Sequence, residues 1–255
     1  MGRKLVIITG PTAVGKTDFC IEAALKYGSP VISCDSRQIY KEMTIGTAVP
    51  DASQLAAVKH YFIHSIHVTE PYSSGQYEID ALALIDRLFS EGRETLVMCG
   101  GSGFYIDAVC NGLDCLPVPP PELREELTQR VVRALETIMI SGRSFTEFKL
   151  REPKKRDFEI EKICLTRPRE TLYSRINERV TSMVNAGLED EVRGLLPYRN
   201  LPALQTVGYK EMFDYIDGKT SLDEAVRLIQ RNTRHYAKKQ ITWWKRYSDV
   251  KWIEL

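Results

Sequence analysis

Gly10-Pro11-Thr12-Ala13-Val14-Gly15-Lys16-Thr17 follows the apolar run Leu5-Val6-Ile7-Ile8 and precedes a helical pattern that carries Phe19, Ala23 and Ala24. Strand, glycine-rich turn and helix in that order, spaced Gly-x-x-x-x-Gly-Lys-Thr, are the mark of a phosphate-binding loop. Backbone amides at the start of a helix have no intrahelical partner, so they converge on phosphate oxygens. Gly10, Thr12, Ala13, Val14, Gly15, Lys16 and Thr17 are the expected contacts. Lys16 adds a positive charge, and the Thr17 hydroxyl can join the shell of a magnesium ion. The bland alternative is a chance match in a glycine-containing turn, which the flanking strand and helix argue against. The motif specifies a phosphate, not which phosphate compound.

Further strand-like runs are Val31–Cys34, Thr95–Cys99 and Glu159–Leu165, separated by helical patterns such as Glu78–Phe89 and Leu172–Val184. This alternation predicts an α/β fold, a parallel sheet flanked by helices around a mononucleotide-binding core. The texture changes near Leu113. Leu116-Pro117-Val118-Pro119-Pro120-Pro121 is a stiff connector, followed by short helical patterns at Glu122–Leu127 and Arg130–Ile140. The core is therefore assigned to 1–113 and 129–255, with 114–128 as an excursion from it. Val250–Leu255 reads as a terminal strand.

The net charge of +1 over 255 residues gives no global bias toward nucleic acid. The bias is local. Ser221-Leu222-Asp223-Glu224 has the capping-box pattern that opens a helix running to about Tyr247. Arg227, Arg231, Arg234 and Lys238 fall on one face of it, and between Ala225 and Ser248 there is no acid. A basic stripe without acidic partners fits a polyanion contact better than a plain solvated face. The six cysteines form no Cys-x-x-Cys pair, which predicts reduced thiols in a cytoplasmic protein. No apolar run reaches membrane-spanning length. His60, His64 and His67 lack the spacing of a metal site, because Tyr61-Phe62-Ile63 reads as strand.

Three further clusters can carry chemistry. Asp35, in Cys34-Asp35-Ser36-Arg37-Gln38-Ile39-Tyr40, stands at the end of the second strand, where ligands of parallel sheets bind. It can accept a proton, bind magnesium or merely cap the next turn. Gly100-Gly101-Ser102-Gly103 is a second glycine-rich turn, and no carboxylate ends the strand before it, which disfavours a motor-type ATPase. Arg167-Pro168-Arg169 opens a helix after the fourth strand. Its arginines can grip a phosphate or simply lie on the surface.

Taken together, the motifs at 10–17, 35–40, 100–105 (Gly-Gly-Ser-Gly-Phe-Tyr), 130–136 (Arg-Val-Val-Arg-Ala-Leu-Glu), 207–211 (Val-Gly-Tyr-Lys-Glu) and 239–243 (Lys-Gln-Ile-Thr-Trp) resemble the bacterial tRNA dimethylallyltransferases. The resemblance implies a P-loop NTPase-like core. It also implies transfer of a five-carbon group from dimethylallyl diphosphate to the exocyclic amine of the adenosine 3′ to the anticodon. The tRNAs concerned read codons that start with U, and magnesium assists. It casts Asp35 as base, Thr17 as metal ligand and Arg169 as the diphosphate-contacting arginine. It places tRNA contacts at Asp35, Ser36, Arg37, Gln38, Ser102, Gln129, Arg130 and Arg133, with the basic face at Arg231, Arg234 and Lys238 on anticodon-stem phosphates. The expected partner is thus a tRNA anticodon stem-loop, without membrane contact, and the expected state a monomer. Three departures stand out: Val14 for the usual Ser, Ser102 for Thr, and almost nothing between Leu127 and Arg130, where the family inserts a helical tRNA-gripping subdomain. On this reading 114–128 is its remnant. The rivals are a small-molecule kinase using the same loop on ATP, an adenylate isopentenyltransferase acting on free nucleotide, and a non-enzymatic RNA-binding module.

Overall fold

The computed structural model describes residues 2–113 and 154–255. The 114–128 excursion, the patterns at Glu122–Leu127 and Arg130–Ile140, Cys115, and the expected contacts Gln129, Arg130 and Arg133 lie outside the described residues. The six strands are β1 (Lys4–Thr9), β2 (Val31–Ser33), β3 (His60–Tyr61), β4 (Thr95–Cys99), β5 (Glu159–Thr166) and β6 (Val250–Glu254). They form one sheet in the order β3-β2-β4-β1-β5-β6, every pair parallel. β1 is central, with Leu5 opposite Leu96 on one side and Ile160 on the other.

The continuous apolar runs follow from this placement, because a parallel sheet is covered on both faces. Side chains alternate between the faces. Leu5, Ile7, Ile32, Leu96 and Met98 pack against α3 (Ser74–Ser90) and α4 (Gly103–Asn111) through Tyr77, Leu88 and Tyr105. Val6, Ile8, Val31 and Val97 pack against α1 (Lys16–Tyr27) and α5 (Arg169–Asn185) through Cys20, Ala24 and Ile176. A third core holds α6 (Leu188–Gly194), α7 (Tyr209–Ile216) and the N-terminal half of α8 (Leu222–Trp244) against the 39–43 turn. The one remaining α-helix among the described residues, α2 (Ala52–Ala57), lies outside these cores and opens with a capping box between Asp51 and Gln54. β3 stops at Tyr61 because Phe62 and His64 take positive φ of 62° and 47°.

The expected strands at 5–9, 31–34, 95–99, 159–165 and 250–255 are found to within one residue at each end, whereas the strand read at Tyr61-Phe62-Ile63 instead covers His60–Tyr61. The capping box at Ser221 is half formed: the Ser221 hydroxyl accepts from the Glu224 amide, but the Glu224 carboxylate turns to Arg227. Four of the cysteines are buried and Cys99 is half-buried, all free.

Both ends of the described stretches meet at one buried carboxylate. Glu78 accepts from the Leu113 amide (2.9 Å), Arg156 Nη2 (3.1 Å) and Lys154 Nζ (3.3 Å), while Arg156 also donates to the carbonyls of Val109 and Ala108. Burial pushes the Glu78 pKa up, but the Leu113 amide, Arg156 and Lys154 outweigh it and hold the group below its ordinary 4.5. A depressed carboxyl stabilises the fold above its unfolded pKa, and the contribution is lost as pH falls through the folded value. Glu78→Gln therefore destabilises the protein by about 3 kcal/mol at neutral pH. Urea titrations read this, and the gap to wild type narrows as the pH is lowered below 4.5.

Candidate active site

The loop at 10–17 joins the C-terminal end of β1 to the start of α1. Gly10 has φ of 142°, and a Cβ there would lie 2.5 Å from the Leu165 carbonyl oxygen. Gly15, at φ 108°, is the N-cap of α1. Ala13 accepts a φ of 64°, a cost that non-glycine residues bear mainly at binding sites. Lys16 folds back over the loop, its Nζ donating to the carbonyls of Gly10 (3.0 Å) and Pro11 (2.9 Å), and burial lowers its pKa. Thr17 follows in the first turn of α1.

Three arginines brace the loop from outside. Arg167 Nε donates to the Val14 carbonyl (2.8 Å), Arg175 Nε to the Ala13 carbonyl (2.9 Å) and Arg179 Nη1 to the Thr12 hydroxyl (3.4 Å). Among the described residues none of the three forms an ion pair. Burial, and then the charge of Arg175, lower the pKa of Arg179. Arg169 stands elsewhere. It is exposed in the first turn of α5, its guanidinium 5.2 Å from the Tyr173 ring centre, and it makes no hydrogen bond to the loop. Arg175 and Arg179 were missed in the sequence. The available signal was their i, i+4 spacing beside the buried stripe Leu172, Ile176 and Val180, which puts them on the rim of the face turned to the sheet.

Asp35 caps its own turn. Its Oδ1 accepts from the amides of Arg37 (2.8 Å) and Gln38 (3.3 Å). Ser102 ties the two loops together: its hydroxyl accepts from the Ser36 amide (3.0 Å) and lies 3.2 Å from the Ser36 hydroxyl. Gln38 is turned inward, donating to the carbonyls of Thr47 and Ala48. That 44–48 segment is anchored in turn by Glu191, whose carboxylate accepts from the amides of Thr44 (3.0 Å), Ile45 (2.6 Å) and Gly46 (2.9 Å) and from the Tyr209 hydroxyl (2.6 Å). From α8, Gln240 accepts from the Thr12 amide (2.9 Å) and donates to the Gly101 carbonyl (3.1 Å).

Two cavities flank this cluster. One of about 290 Å³ contains Thr12, Asp35, Arg179, Met183 and Ile229. The other, about 490 Å³, is walled by Tyr40, Tyr105, Phe104, Trp243 and the Gly101–Gly103 turn. Ser36, Arg37 and Tyr236 border both.

The basic stripe of α8 divides. Arg227 pairs with Glu224, three residues back. Arg234 turns toward α5, bonding Asn177 Oδ1 (2.6 Å) and lying over the Tyr173 ring. Arg231 contacts only Asn232 Oδ1 at 3.3 Å, and Lys238 is exposed with no ion pair among the described residues. The face free for a polyanion is thus narrower than the spacing alone suggests, and it is centred on Arg231, Lys238 and Lys239. Of the histidines, His67 pairs with Glu42, His64 with the Thr44 hydroxyl and His60 with the Val58 carbonyl. Among the described residues no group of three His, Cys, Asp or Glu side chains could hold a metal ion.

A glycine-rich loop at the C-terminal edge of a parallel sheet, with a carboxylate and two adjoining cavities beside it, stands where α/β proteins bind their ligands. The chain belongs to the IPP transferase family, whose model matches residues 38–130 and 127–247. It is 45% identical to tRNA dimethylallyltransferase 2 of Porphyromonas gingivalis over 98% of this chain and 93% of that protein. It is 40% identical to tRNA dimethylallyltransferase 1 of Bacteroides thetaiotaomicron over 98% and 91%. Its fold matches the crystal structure of the full-length tRNA isopentenylpyrophosphate transferase of Bacillus halodurans, with a TM-score of 0.80 and 33% identity over 99% of this chain and 90% of that one. The two family-model segments meet at 127–130, and the first alignment spans 280 positions against a chain of 255, so that relative carries residues this chain lacks.

The braced loop makes a direct prediction. Arg175→Ala and Arg179→Ala each weaken binding of inorganic diphosphate by about tenfold or more, the worth of one charge-assisted hydrogen bond. Arg169→Ala leaves it within about twofold, as for an exposed cation. Isothermal titration calorimetry measures all three.

Proposed function

We propose that this protein transfers the dimethylallyl group of dimethylallyl diphosphate to the exocyclic amine of the adenosine 3′ to the anticodon, in tRNAs that read codons starting with U. The single observation that carries the reading is the cation cluster of Arg167, Arg175, Arg179 and Lys16 on the 10–17 loop, none of them in an ion pair among the described residues, with Asp35 nearby, in a chain of this family. Such a site suits a leaving diphosphate. As the allylic C–O bond breaks, charge builds on the diphosphate oxygens, and preorganised amides and guanidinium groups stabilise it.

The 290 Å³ cavity, whose lining combines polar Thr12 and Arg179 with apolar Met183 and Ile229, suits a diphosphate with a five-carbon tail. The aromatic 490 Å³ cleft suits a purine turned out of its stack. Asp35 keeps one carboxylate oxygen outside its turn's hydrogen bonds and takes the proton of the attacking amine. Ser36, Arg37 and Ser102 lie where the nucleotide enters, whereas Gln38 acts by holding the 47–48 backbone. Arg231, Lys238 and Lys239 hold stem phosphates.

Thr17, in the first turn of α1 beside the 10–17 loop, is the residue that would hold a magnesium ion. When bound, the ion supplies further neutralisation of the leaving group. We place the reaction in the cytoplasm and the protein as a monomer. Among the described residues no helix is long and apolar enough to cross a membrane.

The test is transfer of labelled dimethylallyl diphosphate to an anticodon stem-loop bearing the target adenosine. Phosphate transfer from ATP without prenylated RNA would overturn the reading in favour of a kinase. Asp35→Asn keeps an oxygen for the turn but removes the base, so kcat falls by about 10²–10⁴ while donor affinity is kept. Arg231→Ala and Lys238→Ala weaken RNA binding and reduce the salt slope by about 0.7–0.9 for each lost phosphate contact, as filter binding over a salt series reads.

A further inference from the structure

We propose that Gln240 is a positioning residue that sets the register between the donor loop and the acceptor cleft. Gln240 is 6% exposed, a buried polar side chain on α8. Its Oε1 accepts from the Thr12 amide at 2.9 Å and its Nε2 donates to the Gly101 carbonyl at 3.1 Å. Thr12 belongs to the 10–17 loop and borders the smaller cavity, while Gly101 belongs to the second glycine-rich turn and borders the larger. One primary amide thus spans the two half-sites, from a helix far away in the sequence.

The amide is used in its only workable orientation, since an N–H needs an acceptor and a carbonyl needs a donor. Room for it is built in. A Cβ on Gly101 would run into Gln240 Nε2, and a Cβ on Gly103 would run into Trp243 Nε1 one turn further along the same helix. α8 therefore lies flush on the turn, and its other residues act on the same space. Tyr236, one turn before Gln240, borders both cavities, and Trp243 walls the larger. Thr12 is held a second time, through its hydroxyl, by Arg179. Diphosphate binding rests mainly on the loop amides and arginines. What Gln240 adds is the fixed offset between the donor carbon and the amine that attacks it. Such an offset governs the rate of reaction more than the affinity for either substrate, because a displacement of about 1 Å costs up to a hundredfold.

A misaligned acceptor leaves the allylic carbon open to water. The water oxygen then bonds to that carbon, the C–O bond to diphosphate breaks with its electron pair leaving on diphosphate, and a proton passes to solvent, giving dimethylallyl alcohol. The proposal rests on the prenyl-transfer reading. The experiment follows labelled donor with the full-length protein and an anticodon stem-loop, counting prenylated RNA and dimethylallyl alcohol separately. Gln240→Met, which keeps length and volume, is expected to lower kcat for prenylation by about tenfold to a hundredfold, to leave both KM values within about threefold, and to raise the share of alcohol. Gln240→Glu keeps the acceptor for Thr12 and loses the donor to Gly101, so it falls between wild type and Gln240→Met. It also decides the matter if the Met variant does not fold. An unchanged kcat, or a raised donor KM with an unchanged alcohol share, overturns the proposal. Absence of prenylated RNA with the wild-type protein would instead overturn the underlying reading.

Discussion

Four cations crowd an eight-residue loop, and the protein does little to neutralise them. Among the described residues Lys16, Arg167, Arg175 and Arg179 are satisfied by backbone carbonyls and one hydroxyl, not by carboxylates. Like charges gathered in a partly buried site are unfavourable unless an anion completes them. Much of the architecture serves this arrangement. β1 and β5 lie side by side, so Arg167, the residue after β5, reaches the Val14 carbonyl of the loop after β1. α5 then runs past the loop and delivers Arg175 and Arg179 one turn apart. The buried stripe of that helix packs on the sheet and fixes the rotation that points both guanidinium groups inward.

The sheet and the loop were legible in the sequence because their signals are local. An apolar run followed by a glycine-rich turn and a helix is specified within some twenty residues, and strand ends of a parallel sheet converge whatever the rest does. The arginines were harder. Arg167-Pro168-Arg169 reads as a phosphate grip, yet nothing local says which of the two arginines points at the loop; the first does, and the second stacks on Tyr173. The basic stripe of α8 shows the same limit. Periodicity places Arg234 on a face, but only packing reveals that α5 brings Asn177 within reach of it. Gln240 carried no signal as an isolated residue, because its two partners lie far away in the chain.

Asp35 and Ser102, both expected at the site from the sequence, are also built into the fold. One oxygen of Asp35 shapes the turn, and the Ser102 hydroxyl is spent on Ser36. With Ser102 committed to protein, its departure from the family's usual Thr leaves this bond intact. Val14 is likewise tolerable, because the loop uses its carbonyl for Arg167, a group every residue has.

Glu191 has a consequence of another kind. By gathering three successive amides, it fixes the path of residues 44–46 through groups that do not depend on the side chains there. The side chains of Thr44, which bonds His64, and of Ile45, which packs on the third core, are therefore dispensable to this path. Gly46 is not, since a Cβ would sit 2.7 Å from the Tyr209 ring, and Tyr209 donates to the same carboxylate. One carboxylate thus couples three distant positions: the space left at Gly46 admits the Tyr209 ring, and that ring's hydroxyl steadies the Glu191 that holds the Gly46 amide.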